Sequence, residues 1–258
     1  MRILVTNDDG IHAEGLAALE RIAASLTDDV WVCAPEYEQS GASRALTLSE
    51  PIRVRKVGPR RFAATGTPTD CVMLAINELI DGDRPDLVLS GVNRGPNIAE
   101  DVTMSGTVAG AIEGMALGVP AIALSQAGRP DDMEGFFTPA ETFAPGIIRR
   151  LTAQGWPGDV VMNVNFPVIE PGAAAEVEVT RQGFRDVQVR HAERRTDLRG
   201  RDYYWIGFRQ FRSQPADGTD LRAFYEGRIS VTPLHIDLTH AATVEALKKV
   251  LDGPAPSL

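Results

Sequence analysis

The sequence predicts an α/β fold with a mainly parallel sheet wrapped by helices. Two observations carry this. Short apolar runs (RILVT, DVWVCAP, PDLVLSG, VPAIALS) alternate with amphipathic stretches through the first half, the pattern of parallel strands buried on both faces. Polar, glycine-rich loops also follow those runs, where a doubly wound sheet collects its ligands.

Each element has its own signal. RILVT is the first strand, and EGLAALERIAASL after it is a helix with Leu16, Leu19, Ala23 and Leu26 recurring on one face. TPTDCVMLAINELI reads as a second helix, with Val72, Ile76 and Leu79 inward and Thr67 or Thr69 as N-cap. SGTVAGAIEGMALG reads as a third, apolar at Val108, Ile112 and Met115. GRPDDMEGFF is a polar loop, and TPAETFAPGIIRRL is a helix started or interrupted by Pro145. DVVMNVNFP is a further strand. From about Ala175 the signals turn to β, with AEVEVTRQG, DYYWIG and RAFYEGRISVTPL as strands around the arginine-rich VRHAERRTDLRGRD. HAATVEALKKVLD closes the chain as a helix. The domain plan is a catalytic core over 1–128. Residues 129–258 continue that core, with a β-rich extension over about 175–235 and the terminal helix.

Composition bounds the partners. With 258 residues, of which 43% are hydrophobic and 24% charged, the chain can bury a sizeable core. Its net charge of −9 argues against a basic face for long nucleic acids. The two cysteines, Cys33 and Cys71, match neither a disulfide framework nor a zinc site. No apolar segment is long enough for a signal peptide or a membrane span, so the expectation is a cytoplasmic protein that does not engage membranes.

The densest chemistry is NDDG after the first strand, where Asp8, Asp9 and Asn7 crowd hard oxygen donors at one strand end. That donor set suits Mg2+ or Mn2+. An Asx turn or a cap for the next helix is the structural alternative, although capping needs only one aspartate. Ser40 in PEYEQSGAS and Asn93 in SGVNRGPN end neighbouring strands, and either residue is equally at home in an ordinary turn. Ser105, Gly106 and Thr107 open a helix whose amides and hydroxyls can receive an anion, a role compatible with capping. Gly66 and Thr67 are a weaker cradle of the same type. His12, just after NDDG, is a phosphate donor or a helix cap. His235 shares strand parity with Asp237 in TPLHIDLT, or is a structural histidine. GxGxxG and GxxxxGK[ST] are absent, which disfavours dinucleotide and P-loop readings.

Taken together, MRILVTNDDGIHAEGL, APEYEQSGASRALTL, GTPTDCV, SGVNRGPNIAEDVTMSGTVAGAIEG and VTPLHIDLT resemble the SurE family of metal-dependent nucleotidases, from Met1 to about Thr239. The resemblance implies hydrolysis of nucleoside 5'- and 3'-monophosphates, and of short polyphosphate in some members. It implies one divalent metal ion per subunit, Mg2+ or Mn2+, on Asp8, Asp9, Ser40 and Asn93. It also implies a Rossmann-like three-layer core, a C-terminal β-hairpin extension, and a homodimer or homotetramer. Asn97 with Ser105, Gly106 and Thr107 is then expected to hold the transferring phosphoryl group. Three positions depart from the usual pattern: HAEG stands for HAPG, Ala99 for glycine and Met104 for tyrosine. Two other readings stay open. A D-x-D phosphatase using an aspartyl phosphate fits the adjacent Asp8 and Asp9 poorly. A nucleotide sensor would bind without turnover. The aromatic and arginine-rich stretch from Tyr203 to Tyr225 is expected at subunit contacts, or else as a local hairpin core.

Overall fold

A computed structural model describes residues 1–128, 135–170, 172–185, 188–210 and 214–253. Nine strands form one sheet in the order β3-β4-β2-β1-β5-β6-β7-β11-β8. In chain order these are β1 (Arg2–Thr6), β2 (Asp29–Pro35), β3 (Val54–Gly58), β4 (Arg61–Ala64), β5 (Leu87–Arg94), β6 (Ala121–Gln126), β7 (Val161–Phe166), β8 (Val177–Val179) and β11 (Ile229–Leu234). The pairings from β4 through β7 are parallel, β11 runs antiparallel to β7, and β3 runs antiparallel to β4. A separate antiparallel ribbon pairs β9 (Gln188–Thr196) with β10 (Asp202–Gln210).

Alternation along the strands builds the three layers. Ile3 and Val5 of β1 join the apolar cluster beneath α1 (Glu14–Ala24) and α4 (Thr138–Gln154). Leu4, between them, points into the opposite cluster with α2 (Pro68–Leu74) and α3 (Gly106–Ala116). β5 and β6 repeat the division: Leu87, Leu89, Ile122 and Leu124 go one way, and Val88, Ala121 and Ala123 the other. Strand residues of period two thus feed both cores, as a sheet covered on both faces requires.

The helices follow their sequence signals with informative exceptions. Leu16, Leu19 and Ala23 are buried in α1. Leu26 lies past the helix end and packs half-buried against the same cluster. Thr67 is the N-cap of α2 in a full capping box with Asp70, but the expected long helix gives way to a π-helical turn over Ala75–Leu79. Pro145 neither starts nor stops α4, which runs through it from a proline-containing first turn. RAFY, expected as strand, is the body of α5 (Asp220–Tyr225), because Thr219 caps it by accepting the Arg222 amide. GRPDDMEGFF falls mostly at 129–134, outside the described residues. α6 (Ala241–Leu251) forms as expected, with no buried residue. Among the described residues no helix is long and apolar enough to cross a membrane.

The stretch expected as one β extension is divided. β8 and β11 complete the main sheet, while β9 and β10 stand out as the ribbon that carries VRHAERRT against DYYWIG. Tyr204 and Trp205 are 59% and 60% exposed there, so they form no local core within the chain.

Chain order reverses at β1, with β2 on one side of it and β5, which follows much later, on the other. The crevice outside the carboxyl ends of β1 and β5 is therefore the topological switch point. It depends on the close approach of α1 to β5. A Cβ on Gly15 would lie 2.1 Å from the carbonyl oxygen of Val92. Gly15→Ala is therefore expected to cost about 2–3 kcal/mol, because main chain must move to admit the methyl. A thermal melting temperature equal to that of the parent would contradict this packing.

Candidate functional site

The switch-point crevice opens into a cavity of about 700 Å³ lined by the ends of β1 and β5 and the loops around them. Five carboxylates face it, from Asp8, Asp9, Glu14, Glu38 and Asp101, together with Arg94 and His12. Ser40, Asn93, Asn97, Met104, Ser105 and Phe137 also line it.

The NDDG turn is built from its own residues. Gly10 takes a φ of +102°, and the Asn7 amide donates to the Gly10 carbonyl at 3.0 Å. Neither aspartate caps α1, whose N-cap is Ala13 with no side-chain bond. Asp8 is instead seated on α3. The Thr107 hydroxyl donates to Asp8 Oδ1 at 2.5 Å, and the Thr107 backbone also bonds to that carboxylate. Gly106 makes this possible, since a Cβ there would sit 2.7 Å from Asp8 Cβ. Burial pushes the Asp8 carboxyl above its ordinary value. Asp9 is pushed up to about 6, first by burial and then by the Asp8 charge, against a backbone hydrogen bond from Arg94.

Ser40 and Asn93 approach the same cavity from β2 and β5. The Gln39 amide donates to the Asp8 carbonyl at 2.7 Å, which stitches the loop carrying Ser40 onto the NDDG turn. The Ser40 hydroxyl donates to Glu38 at 2.8 Å, and the Asn93 amide donates to the Gly95 carbonyl at 2.8 Å. Asn97 is buried, with its amide donating to Ser125 at 2.9 Å.

The fold thus gathers Asp8, Asp9, Ser40, Asn93, Asn97, Ser105 and His12 around one cavity. His12 is exposed at its mouth. Thr107 is drawn inward, its hydroxyl given to Asp8, and Ser105 accepts the Val108 amide as the N-cap of α3. Of the SGT trio, Ser105 is the one that lines the cavity. His235 does not belong here. Because β11 is antiparallel, Leu234 pairs with Val161 at the amino end of β7, so His235 lies beyond the opposite edge of the sheet. It is exposed there and accepts the Asp237 amide at 3.2 Å. Gly66 likewise serves α2, pressed against Asp70.

Sequence reasoning missed Glu38, Arg94, Asp101 and Phe137. Glu38 lies inside the PEYEQSGAS loop, two residues before Ser40, and its acidity is a usable signal. Glu14, which opens α1, and Met104 both line the cavity, so two of the three positions that depart from the resemblance face the ligand space.

The residues fit a hard divalent cation. Among the described residues no three His, Cys, Asp or Glu side chains cluster as a metal site. The available set is two adjacent carboxylates supplemented by hydroxyl and amide oxygens, the donors that Mg2+ and Mn2+ accept. Two neighbouring carboxyls, both displaced upward by burial, are poorly stabilised as anions without positive charge beside them.

The Asp9 shift has a stability consequence. Since its folded value is raised, the neutral carboxyl contributes stability fully present below about pH 3.8 and lost as pH rises through about 6. In chelator, Asp9→Asn should therefore melt close to the parent near pH 4. It should melt above the parent at about pH 7.5, by about 1–2 kcal/mol after discounting for partial exposure. A difference constant across that range would refute the assignment.

A sequence profile described as "Survival protein SurE" matches residues 3–189. The chain is 74% identical to the 5'-nucleotidase SurE of Phenylobacterium zucineum over the full length of both. It is 71% identical to that of Caulobacter vibrioides, over 99% of this chain and 98% of the relative. The crystal structure of the SurE protein from Aquifex aeolicus superposes with a TM-score of 0.82 at 38% identity, covering 98% of this chain and all of that one. In sequence and in architecture, the chain belongs to the SurE family.

Proposed function

We propose that this chain hydrolyses nucleoside monophosphates to nucleoside and phosphate with one divalent cation, Mg2+ or Mn2+, held by Asp8, Asp9, Ser40 and Asn93. The observation that carries the reading is a cavity of nucleotide size lined by five carboxylates. Arg94 in the lining and the start of α3 offset only part of that negative charge, so a phosphate dianion meets net repulsion there until a cation is bound. The 5'-nucleotidase names of its relatives at 74% and 71% identity point the same way.

When bound, the cation neutralises phosphoryl oxygens and lowers the pKa of water. The protein's own residues do the rest. Thr107 and the first turn of α3 fix the Asp8 carboxylate. Asp9, which accepts a backbone bond from Arg94, is the carboxylate that in this reading also takes a proton from attacking water. Asn97 and Ser105 present donors to the transferring group, a task of positioning and electrostatics. Phe137, Met104 and His12 on the cavity wall offer apolar and ring surface for a nucleoside. 3'-Monophosphates and short polyphosphate belong to the same proposal through the family resemblance.

We further read the chain as a homodimer or homotetramer acting in the cytoplasm. The exposed Tyr203, Tyr204, Trp205 and Ile206 of β10 support subunit contacts, as does the unburied apolar side of α6 at Leu247 and Val250.

Two experiments test this. Phosphate release should be measured from AMP, GMP and p-nitrophenyl phosphate with Mn2+, then with chelator and with Mn2+ restored. Asp8→Asn and Asp9→Asn should each lose at least about 100-fold in rate. Binding of these compounds without release would instead identify a sensor. Light scattering at about micromolar concentration should give a dimer or larger, at the affinity of ordinary stable interfaces; a monomer would overturn the contact surface.

A further inference from the structure

β7 lies between β6 and β11, well inside the sheet, yet it carries Asn163 and Asn165, both 0% exposed. Asparagine is depleted in strands, and a buried amide is costly unless hydrogen-bonded. Spacing by two puts both side chains on one face, with Asn165 in register beside Ser125 of β6.

Both amides are spent on a single residue. Asn165 Oδ1 accepts the Asn97 N–H at 2.8 Å, and Asn165 Nδ2 donates to the Asn97 carbonyl at 3.1 Å. Asn163 Nδ2 donates to that same carbonyl at 2.8 Å. Ser125 takes one proton of the Asn97 side-chain amide. Both main-chain groups of Asn97 are therefore held from beneath, and its remaining side-chain amide proton is left for the cavity it lines. Neither Asn163 nor Asn165 lines that cavity. The arrangement has a cost, since Asn163 Oδ1 is buried without a hydrogen-bond partner among the described residues. Valine or isoleucine at both positions would suit a central strand better if stability were the only demand.

The geometry points to Asn165, assisted by Asn163, as a positioning residue that fixes Asn97 against the transferred phosphoryl group. This rests on the phosphomonoesterase reading of the cavity. A donor held in place before reaction avoids reorganisation during it, and a displacement of about 1 Å can cost about 100-fold in rate.

The test is a double-mutant cycle with two readouts: phosphate release from AMP with Mn2+, and calorimetric binding of inorganic phosphate in the presence of Mn2+. Asn165→Ala should lower kcat about 10- to 100-fold and weaken phosphate binding about 5- to 10-fold. Mn2+ affinity should stay within about twofold, because the side chains assigned to the cation are untouched. In an Asn97→Ala background the same substitution should add less than about twofold to either loss. Asn163→Ser, which removes one bond to the same carbonyl, runs the cycle if Asn165→Ala does not fold. Full additivity with Asn97→Ala, or unchanged kcat and phosphate binding, would overturn the inference. If the parent hydrolyses no nucleotide but its phosphate binding still depends on Asn165 through Asn97, the nucleotidase reading fails and the positioning role stands. A parent that binds no phosphate overturns the positioning role as well.

Discussion

The contact between Asp8 and the first turn of α3 is the one on which the site's other parts depend. It joins the end of β1 to a helix that starts 98 positions later, at Gly106. The absent side chain at Gly106 lets the backbone come close enough for Thr107 to reach Oδ1. The partial positive charge of the helix start falls on the same carboxylate, offsetting part of the cost of burying it. From this anchor the Asp8 carbonyl holds the Gln39 amide, and through it the loop that carries Ser40. Gly15, on the next helix, brings α1 against the strand that ends in Asn93 and Arg94. Polar groups from three strands thus converge because backbones approach one another more closely than a methyl group would allow.

Much of this was legible in the chain, and the limits have identifiable causes. Apolar runs ending in NDDG, PEYEQSGAS and SGVN placed three loops at one sheet edge, since parallel strands put all their carboxyl ends on the same side. His235 was misplaced for the converse reason. Its parity could be read from period two, but the reversed direction of β11 could not. RAFY looked like strand because its aromatics favour sheets, whereas its helix is set by Thr219 and by Asp220. The Asp220 carboxylate accepts the amides of Ala99 and Gly183, which are remote in sequence. Thr107 was read as facing an incoming anion, and the anion it meets is Asp8. In β7, NVN gave only a strand signal, since the partner of both asparagines is Asn97, 66 and 68 positions away.

Ala99 shows how firmly the far wall of the cavity is held. Its φ is +54°, a region in which a side chain is disfavoured. Asp220 accepts its amide at 2.9 Å, and Gln182 donates to its carbonyl at 3.1 Å. Buried Arg185 then ties down the neighbouring Asp101 at 2.7 Å. Surroundings that over-determine a residue can keep it in a strained conformation. The 3-10 turn Ala99–Thr103 is therefore a rigid part of the site, and residues far along the chain, after β8 and in α5, set its position.

The acidic lining has a thermodynamic corollary. If a cation and a phosphate ester share this cavity, the cation relieves the repulsion that the acidic lining exerts on the ester, and the ester's oxygens add attraction for the cation, so their affinities form a closed cycle. Whatever factor the metal adds to substrate affinity, the substrate must add to metal affinity. An affinity for either one measured alone then describes one side of that cycle. The concentration of free divalent ion would set the substrate level at which the protein half-saturates, and substrate would retain the ion during turnover.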